Sequence, residues 1–70
     1  MDLLLERGGT LYPIEIKLTA NPTRRTASGI LAFRAAHPRL RVANGTVLCA
    51  VEERRWIADG VLAMPWNLAG

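Results

Sequence analysis

The amino-acid sequence predicts a small α/β domain in which one helix packs on one face of a mixed β-sheet. Three patterns support this class: apolar residues alternate early in the chain, recur at helical spacing in its middle, and form a continuous run near residue 48. The order strand, strand, helix, strand, strand requires at least one crossover connection. A single helix leaves the other sheet face bare, so that face is tolerant of solvent, covered by a second copy of the chain, or covered by further protein.

Residues 2–7 and 10–18 are predicted to form two strands joined at Gly8-Gly9. The glycine pair tolerates the positive φ values that a two-residue hairpin turn demands. By the period of two, one face of the second strand carries Tyr12, Ile14, Ile16 and Leu18, and the other carries Leu11, Pro13, Glu15 and Lys17. Pro13 has no amide hydrogen, which favours an edge strand or a position without a ladder bond.

A helix is predicted over residues 22–36, with Asn21 as its cap and Pro22 at the first helical position. Pro38 should end it. The apolar stripe of the predicted helix consists of Ala27, Ile30, Leu31 and Phe33. Its solvent-facing side carries Arg24, Arg25 and Arg34. Gly29 lies inside the predicted helix, where glycine lowers helix stability by about 1 kcal/mol relative to alanine. A glycine at this position therefore indicates close packing of the helix on the sheet.

The second half of the chain is predicted to add short strands. Residues 39–42 are extended, and the apolar run at 46–51 is typical of a buried strand, which we place at the centre of the sheet. Residues 54–58 follow as a further strand, and Asp59-Gly60 turns the chain into a last strand at 61–64.

Composition excludes several classes of protein. Cys49 is the only cysteine, so the chain has no internal disulfide and no paired Cys/His set for structural zinc. Neither a signal peptide nor an apolar run of membrane-spanning length occurs, so we expect a soluble cytoplasmic chain with no membrane partner. The net charge of +3, carried by eight arginines and one lysine against six acids, weakly favours an anionic partner, although a solvated surface explains it equally well.

The predicted hairpin brings two carboxylates together. If the loop is Gly8-Gly9 alone, Arg7 faces Thr10 and Asp2 faces Glu15. Directly opposed like charges are destabilising unless they are compensated. Lys17 on the same face supplies part of the compensation, and a hard divalent cation would supply more. The alternative is an amphipathic hairpin whose charged face contacts solvent and has no catalytic or ion-binding role.

Asp2 at the start of one strand, "PIEIK" on the next and a following helix resemble the core of the PD-(D/E)xK phosphodiesterase superfamily, which has the restriction-endonuclease-like fold. Three segments more narrowly resemble the C-terminal nuclease-like domain of unknown function in bacterial AAA+ ATPases: "DLLLERGGTLYPIEIKLTANP", "GILAFRAAHP" and "GTVLCAVEERRWIADGVLAMPW". The resemblance implies that residues 1–70 form a single nuclease-like domain, a fragment of that fold lacking the helix that precedes the hairpin.

The resemblance also implies roles for particular residues. Asp2 and Glu15 would ligate Mg²⁺ or Mn²⁺, with the carbonyl of Ile16 as a third ligand. Lys17 would orient or help deprotonate the attacking water and stabilise charge on the phosphate. The catalytic residues are then Asp2, Glu15 and Lys17. The reaction is metal-dependent phosphodiester hydrolysis, or the domain is an inactive relict of an enzyme that catalysed it.

Arg24 and Arg25, near the start of the helix, are candidates for binding the phosphate backbone of DNA, although an exposed helix face explains them equally well. No glycine-rich phosphate loop occurs, so an AAA+ ATPase module would act in cis or in trans from outside this chain. Two other functions stay open: a catalytically inactive module that binds DNA or protein, and a module that forms homo-oligomers.

Overall fold

The structure is a computed structural model and describes residues 1–67. Its elements are β1 (Leu3–Arg7), β2 (Thr10–Ile16), a 3₁₀ turn (Arg24–Ala27), α1 (Ser28–Ala36), β3 (Arg41–Val42), β4 (Gly45–Cys49), β5 (Arg55–Ala58) and β6 (Val61–Pro65). Within the described residues, one α-helix and a mixed sheet form a small α/β domain, as the sequence predicts. None of the helices in this part of the chain has the length and hydrophobicity of a membrane-spanning segment.

The strands form one sheet in the order β1-β2-β4-β6-β5, and β3 pairs with the first residues of β2. The three inner strands β2, β4 and β6 are parallel, whereas β1 and β5 lie antiparallel at the two edges. The apolar run that predicts a central strand is β4, in the middle of this order. Val47 and Cys49 of β4 are fully buried, so this prediction is confirmed.

The glycine hairpin forms as predicted. Gly8 and Gly9 have φ values of 59° and 84°, which L-residues with a side chain adopt only with strain. Arg7 pairs with Thr10, and the register continues to Leu3 opposite Ile14. Pro13 lies in an inner strand, at the point where β2 stops pairing with β3 and starts pairing with β4. A missing amide hydrogen is tolerated there because neither strand pairs with Pro13 on that side.

The predicted start of the helix at Asn21 and Pro22 is wrong. Residues 24–27 form a 3₁₀ turn, and α1 begins only at Ser28. The Thr23 amide donates to the Thr26 hydroxyl over 3.0 Å, and the Thr26 amide donates to the Thr23 carbonyl over 2.9 Å, so Thr23 serves as the cap. The Asn21 amide is instead bound to the Thr19 hydroxyl in the preceding loop.

The core lies between α1 and the sheet and is built from small side chains. The fully buried apolar residues are Ala27, Ile30, Val47, Cys49, Val61 and Ala63. Gly45 lets α1 approach β4 closely, because a Cβ atom at this position would lie 2.5 Å from Cγ2 of Ile30. Cys49 is a free thiol that packs in this core as a small hydrophobe.

Helix α1 covers the face of β2 that carries the charges. Glu15 is in register with Val47, and Val47 with Ala63, so these three residues form a row under the helix. The opposite side of the sheet, which we call the open face, consists of the strand residues that point away from α1. Its most exposed apolar members are Leu3, Leu5, Tyr12, Ile16 and Trp56.

Candidate functional site

Asp2 lies just before β1, outside the paired residues, so the predicted pairing of Asp2 with Glu15 is not part of the β1–β2 register. The Oδ2 of Asp2 accepts a hydrogen bond of 2.7 Å from the Ile16 amide. In a strand, the N–H and C=O of one residue point toward the same neighbour. The carbonyl of Ile16 therefore projects toward Asp2, so a carboxylate and a backbone oxygen share one side of β2.

Glu15 is an acid buried beneath the helix, with only 6% of its surface exposed. Its Oε1 lies 3.3 Å from the α-amino nitrogen of Met1, and its Oε2 lies 3.9 Å from Nζ of Lys17. Gly29 makes room for this carboxylate, because a Cβ there would lie 3.2 Å from Oε2. The predicted close packing at Gly29 is thus packing against Glu15.

Two ammonium groups compensate the Glu15 charge incompletely. Burying a carboxylate is costly unless ion pairs and hydrogen bonds replace the lost water. Lys17 is half exposed, so solvent screens its attraction to Glu15. Oε1 is fully buried and has no hydrogen-bond partner within residues 1–67, despite its ion-pair distance to Met1. This oxygen is therefore where an additional cation or donor would stabilise the site most.

A cleft of about 410 Å³ opens beside this carboxylate, past the end of β2. Glu15, Lys17 and Arg25 line it together, so three of the sequence-predicted site residues meet here. Asp2 and Arg24 are not among its lining residues. The remaining walls are Leu18 and four hydroxyl side chains, Thr19, Thr23, Thr26 and Ser28.

Sequence reasoning missed these four hydroxyls. Their signal was the density of Ser and Thr between residues 19 and 28, which a reading for helix caps alone does not use. Hydroxyls both donate and accept hydrogen bonds, and Lys and Arg provide charged donors. The cleft therefore offers an anion such as phosphate several donors next to a buried carboxylate.

The oxygen atoms around β2 fit a hard divalent cation. Mg²⁺ typically takes one or two carboxylates and keeps several waters, and Asp2, Glu15 and the Ile16 carbonyl provide such a set. The Oε1 of Glu15, which is buried and accepts no hydrogen bond, supports this fit. Within residues 1–67 no cluster of three His, Cys, Asp or Glu side chains occurs, so the third protein ligand would be a backbone oxygen. A bound ion would replace the Met1 α-amino group beside Oε1.

Over residues 1–69 this chain matches the family model described as "Domain of unknown function (DUF4143)". No curated protein matches it, and no solved structure does. Because the match extends over nearly the whole sequence, this chain belongs to the DUF4143 family.

Proposed function

We propose that this domain is a nuclease-like domain of the PD-(D/E)xK type, with a restriction-endonuclease-like fold, that hydrolyses phosphodiester bonds in DNA with Mg²⁺ or Mn²⁺. In this proposal it works together with an AAA+ ATPase module. The observation that carries the proposal is the buried Glu15 carboxylate, whose Oε1 accepts no hydrogen bond and whose Oε2 lies 3.9 Å from Nζ of Lys17.

Each residue has a defined task in this mechanism. Asp2, Glu15 and the Ile16 carbonyl would hold the ion, which when bound acidifies a water and neutralises charge on the phosphate. Lys17 is half exposed and lines the cleft, so its ammonium group can swing from Glu15 to a phosphate oxygen. There the ammonium group donates a hydrogen bond and stabilises the negative charge that develops on the phosphate during attack by water.

Arg25 and the cleft hydroxyls would bind the DNA backbone. Arg25→Ala is expected to weaken DNA binding by roughly three- to tenfold and to lower the salt slope by about 1, because a phosphate contact releases a counterion. Arg24→Ala is the matched control, since Arg24 is the adjacent arginine but does not line the cleft. Fluorescence anisotropy with a labelled duplex at several salt concentrations measures both quantities. Equal losses in the two variants would contradict the assignment of the cleft as the DNA site.

Cleavage of a supercoiled plasmid tests the proposed reaction. The wild-type chain is expected to nick the plasmid with Mg²⁺ or Mn²⁺ and to stop on addition of a chelator. Glu15→Gln should abolish nicking, whereas Glu53→Gln, an exposed acid outside the cleft, should not. Absence of cleavage with every divalent ion, or full activity of Glu15→Gln, would rule out this mechanism.

A second candidate is a binding module without turnover. It is favoured by contacts that already occupy the two carboxylates. Asp2 accepts a hydrogen bond from the Ile16 amide, and two ammonium groups lie near Glu15. In that case Lys17 and Arg25 hold a nucleic acid or an acidic protein partner by charge alone. DNA affinity would then fall steeply with salt and stay unchanged on addition of Mg²⁺.

A further inference from the structure

The large apolar side chains of this domain lie mainly outside its core. Among residues 1–67, the core cluster contains two alanines, a cysteine, two valines and one isoleucine, and Pro13 is also fully buried. In contrast, Trp56 is 60% exposed, and Leu3, Leu5, Tyr12 and Ile16 of the open face are between 38% and 51% exposed. A monomer rarely leaves apolar side chains of this size together in water, so a contiguous exposed patch marks an interaction site.

The open face is continuous from one edge of the sheet to the other. The register aligns Leu3 with Ile14, Ile14 with Thr46, and Thr46 with Leu62. Leu62 is then paired with Trp56 on the last strand. This row crosses five strands without a charged residue, and Thr46 is its one polar member, so a partner would contact mainly apolar atoms along its width.

Charge on this side of the sheet is confined to one end. Arg7 and Arg41 both lie beside the hairpin turn, since each is in register with Thr10. A partner of opposite charge is therefore not required over most of the face, and a copy of the same face can pack on it without burying charges. A two-fold arrangement with the strands of the two copies running in opposite directions keeps the two arginine pairs apart.

The domain is broad enough for a dimer interface of standard size. It measures 34 × 25 × 17 Å. A face spanned by its two longer dimensions has an area on the order of 800 Å², which is the area that each partner contributes to such an interface.

We propose that the open face is the interface of a two-fold symmetric homodimer, in which the two sheets pack face to face and enclose Trp56, Tyr12 and the leucines of β1. The dimer would add a second hydrophobic layer to a 70-residue chain that has few large buried residues of its own. This arrangement leaves the cleft at Glu15 and Lys17 free, because the cleft is on the side of α1.

Sedimentation equilibrium across micromolar concentrations tests the dimer. The wild-type chain is expected to have twice its 7.7 kDa mass. Leu5→Lys places a charge on the open face and should weaken the dimer roughly 30-fold or more. Leu4→Lys is the matched control: Leu4 neighbours Leu5 on the same strand and has a similar exposure of 41% against 48%, but points to the other side of the sheet.

Trp56→Lys, at the opposite edge of the face, is a second probe should Leu5→Lys disturb β1, and circular dichroism verifies that each variant is folded. The proposal predicts that Leu5→Lys and Trp56→Lys are monomeric and that Leu4→Lys is a dimer. A monomeric wild-type chain, a mixture of large aggregates without a discrete dimer, or equal dissociation of the Leu4 and Leu5 variants would overturn it.

Discussion

Replacing Gly45 with alanine is expected to lower the free energy of unfolding by about 1 to 3 kcal/mol, because overpacking a filled core forces side chains and backbone to shift. The added Cβ would lie 2.5 Å from Cγ2 and 3.1 Å from Cδ1 of Ile30. Ile30 is fully buried in α1, where a β-branched side chain has one strongly preferred rotamer. A domain of this size has only about 4 to 10 kcal/mol of stability in total, so urea denaturation should show a large fall in midpoint.

The double variant Gly45→Ala/Ile30→Ala separates this clash from other effects of the alanine. Ile30→Ala alone should cost about 2 to 5 kcal/mol by leaving a cavity. In the double variant the new Cβ fills part of that cavity, so the two costs should sum to more than the measured loss. Additivity within about 0.5 kcal/mol would show that Gly45 is not where α1 and β4 meet.

Lys17→Ala is expected to reduce the rate of metal-dependent DNA cleavage by roughly 10²- to 10³-fold, the usual cost of removing one donor that stabilises charge in the transition state. The Lys17 ammonium is the half-exposed cation that faces both Glu15 and the cleft. Its removal takes away charge stabilisation at the phosphate and leaves the carboxylate ligands in place. Single-turnover nicking assays on supercoiled plasmid measure the loss directly.

The stability and DNA affinity of the same variant are the controls. Because Lys17 is half exposed, its pair with Glu15 contributes at most about 1 kcal/mol, so the variant should remain folded. Its DNA affinity should fall no more than that of Arg25→Ala. A cleavage rate that falls only in proportion to affinity would mean that Lys17 binds DNA and takes no part in the chemistry.

Local patterns in the sequence predicted the strands and the hairpin well. Gly8-Gly9 determines a two-residue turn, and such a turn leaves one register for β1 and β2, so the pairs from Arg7–Thr10 to Leu3–Ile14 follow from the sequence alone. The predicted pairing of Asp2 with Glu15 lies outside this register. The continuous apolar run of β4 likewise predicts a strand that is buried at the centre of the sheet.

Features that depend on tertiary contacts were harder to predict from the sequence. The cap at Thr23 was missed because Asn21-Pro22 is the stronger local signal, whereas the reciprocal bonds of Thr23 and Thr26 decide where the 3₁₀ turn begins. The alternation in β2 separates two faces but does not say which one the helix covers. The helix covers the face of Glu15, where Gly29 makes room for a carboxylate that needs compensation.

Isothermal titration calorimetry with Mg²⁺ and Mn²⁺, on the wild-type chain and on Glu15→Gln, tests the central claim most directly. The claim is that the hairpin and the helix create a buried carboxylate whose Oε1, which accepts no hydrogen bond, attracts a divalent cation. We expect the wild-type chain to bind one ion, and the neutral variant, which has lost a charged oxygen ligand, to bind it at least roughly tenfold more weakly. Equal affinities, or no binding by the wild-type chain, would contradict the account.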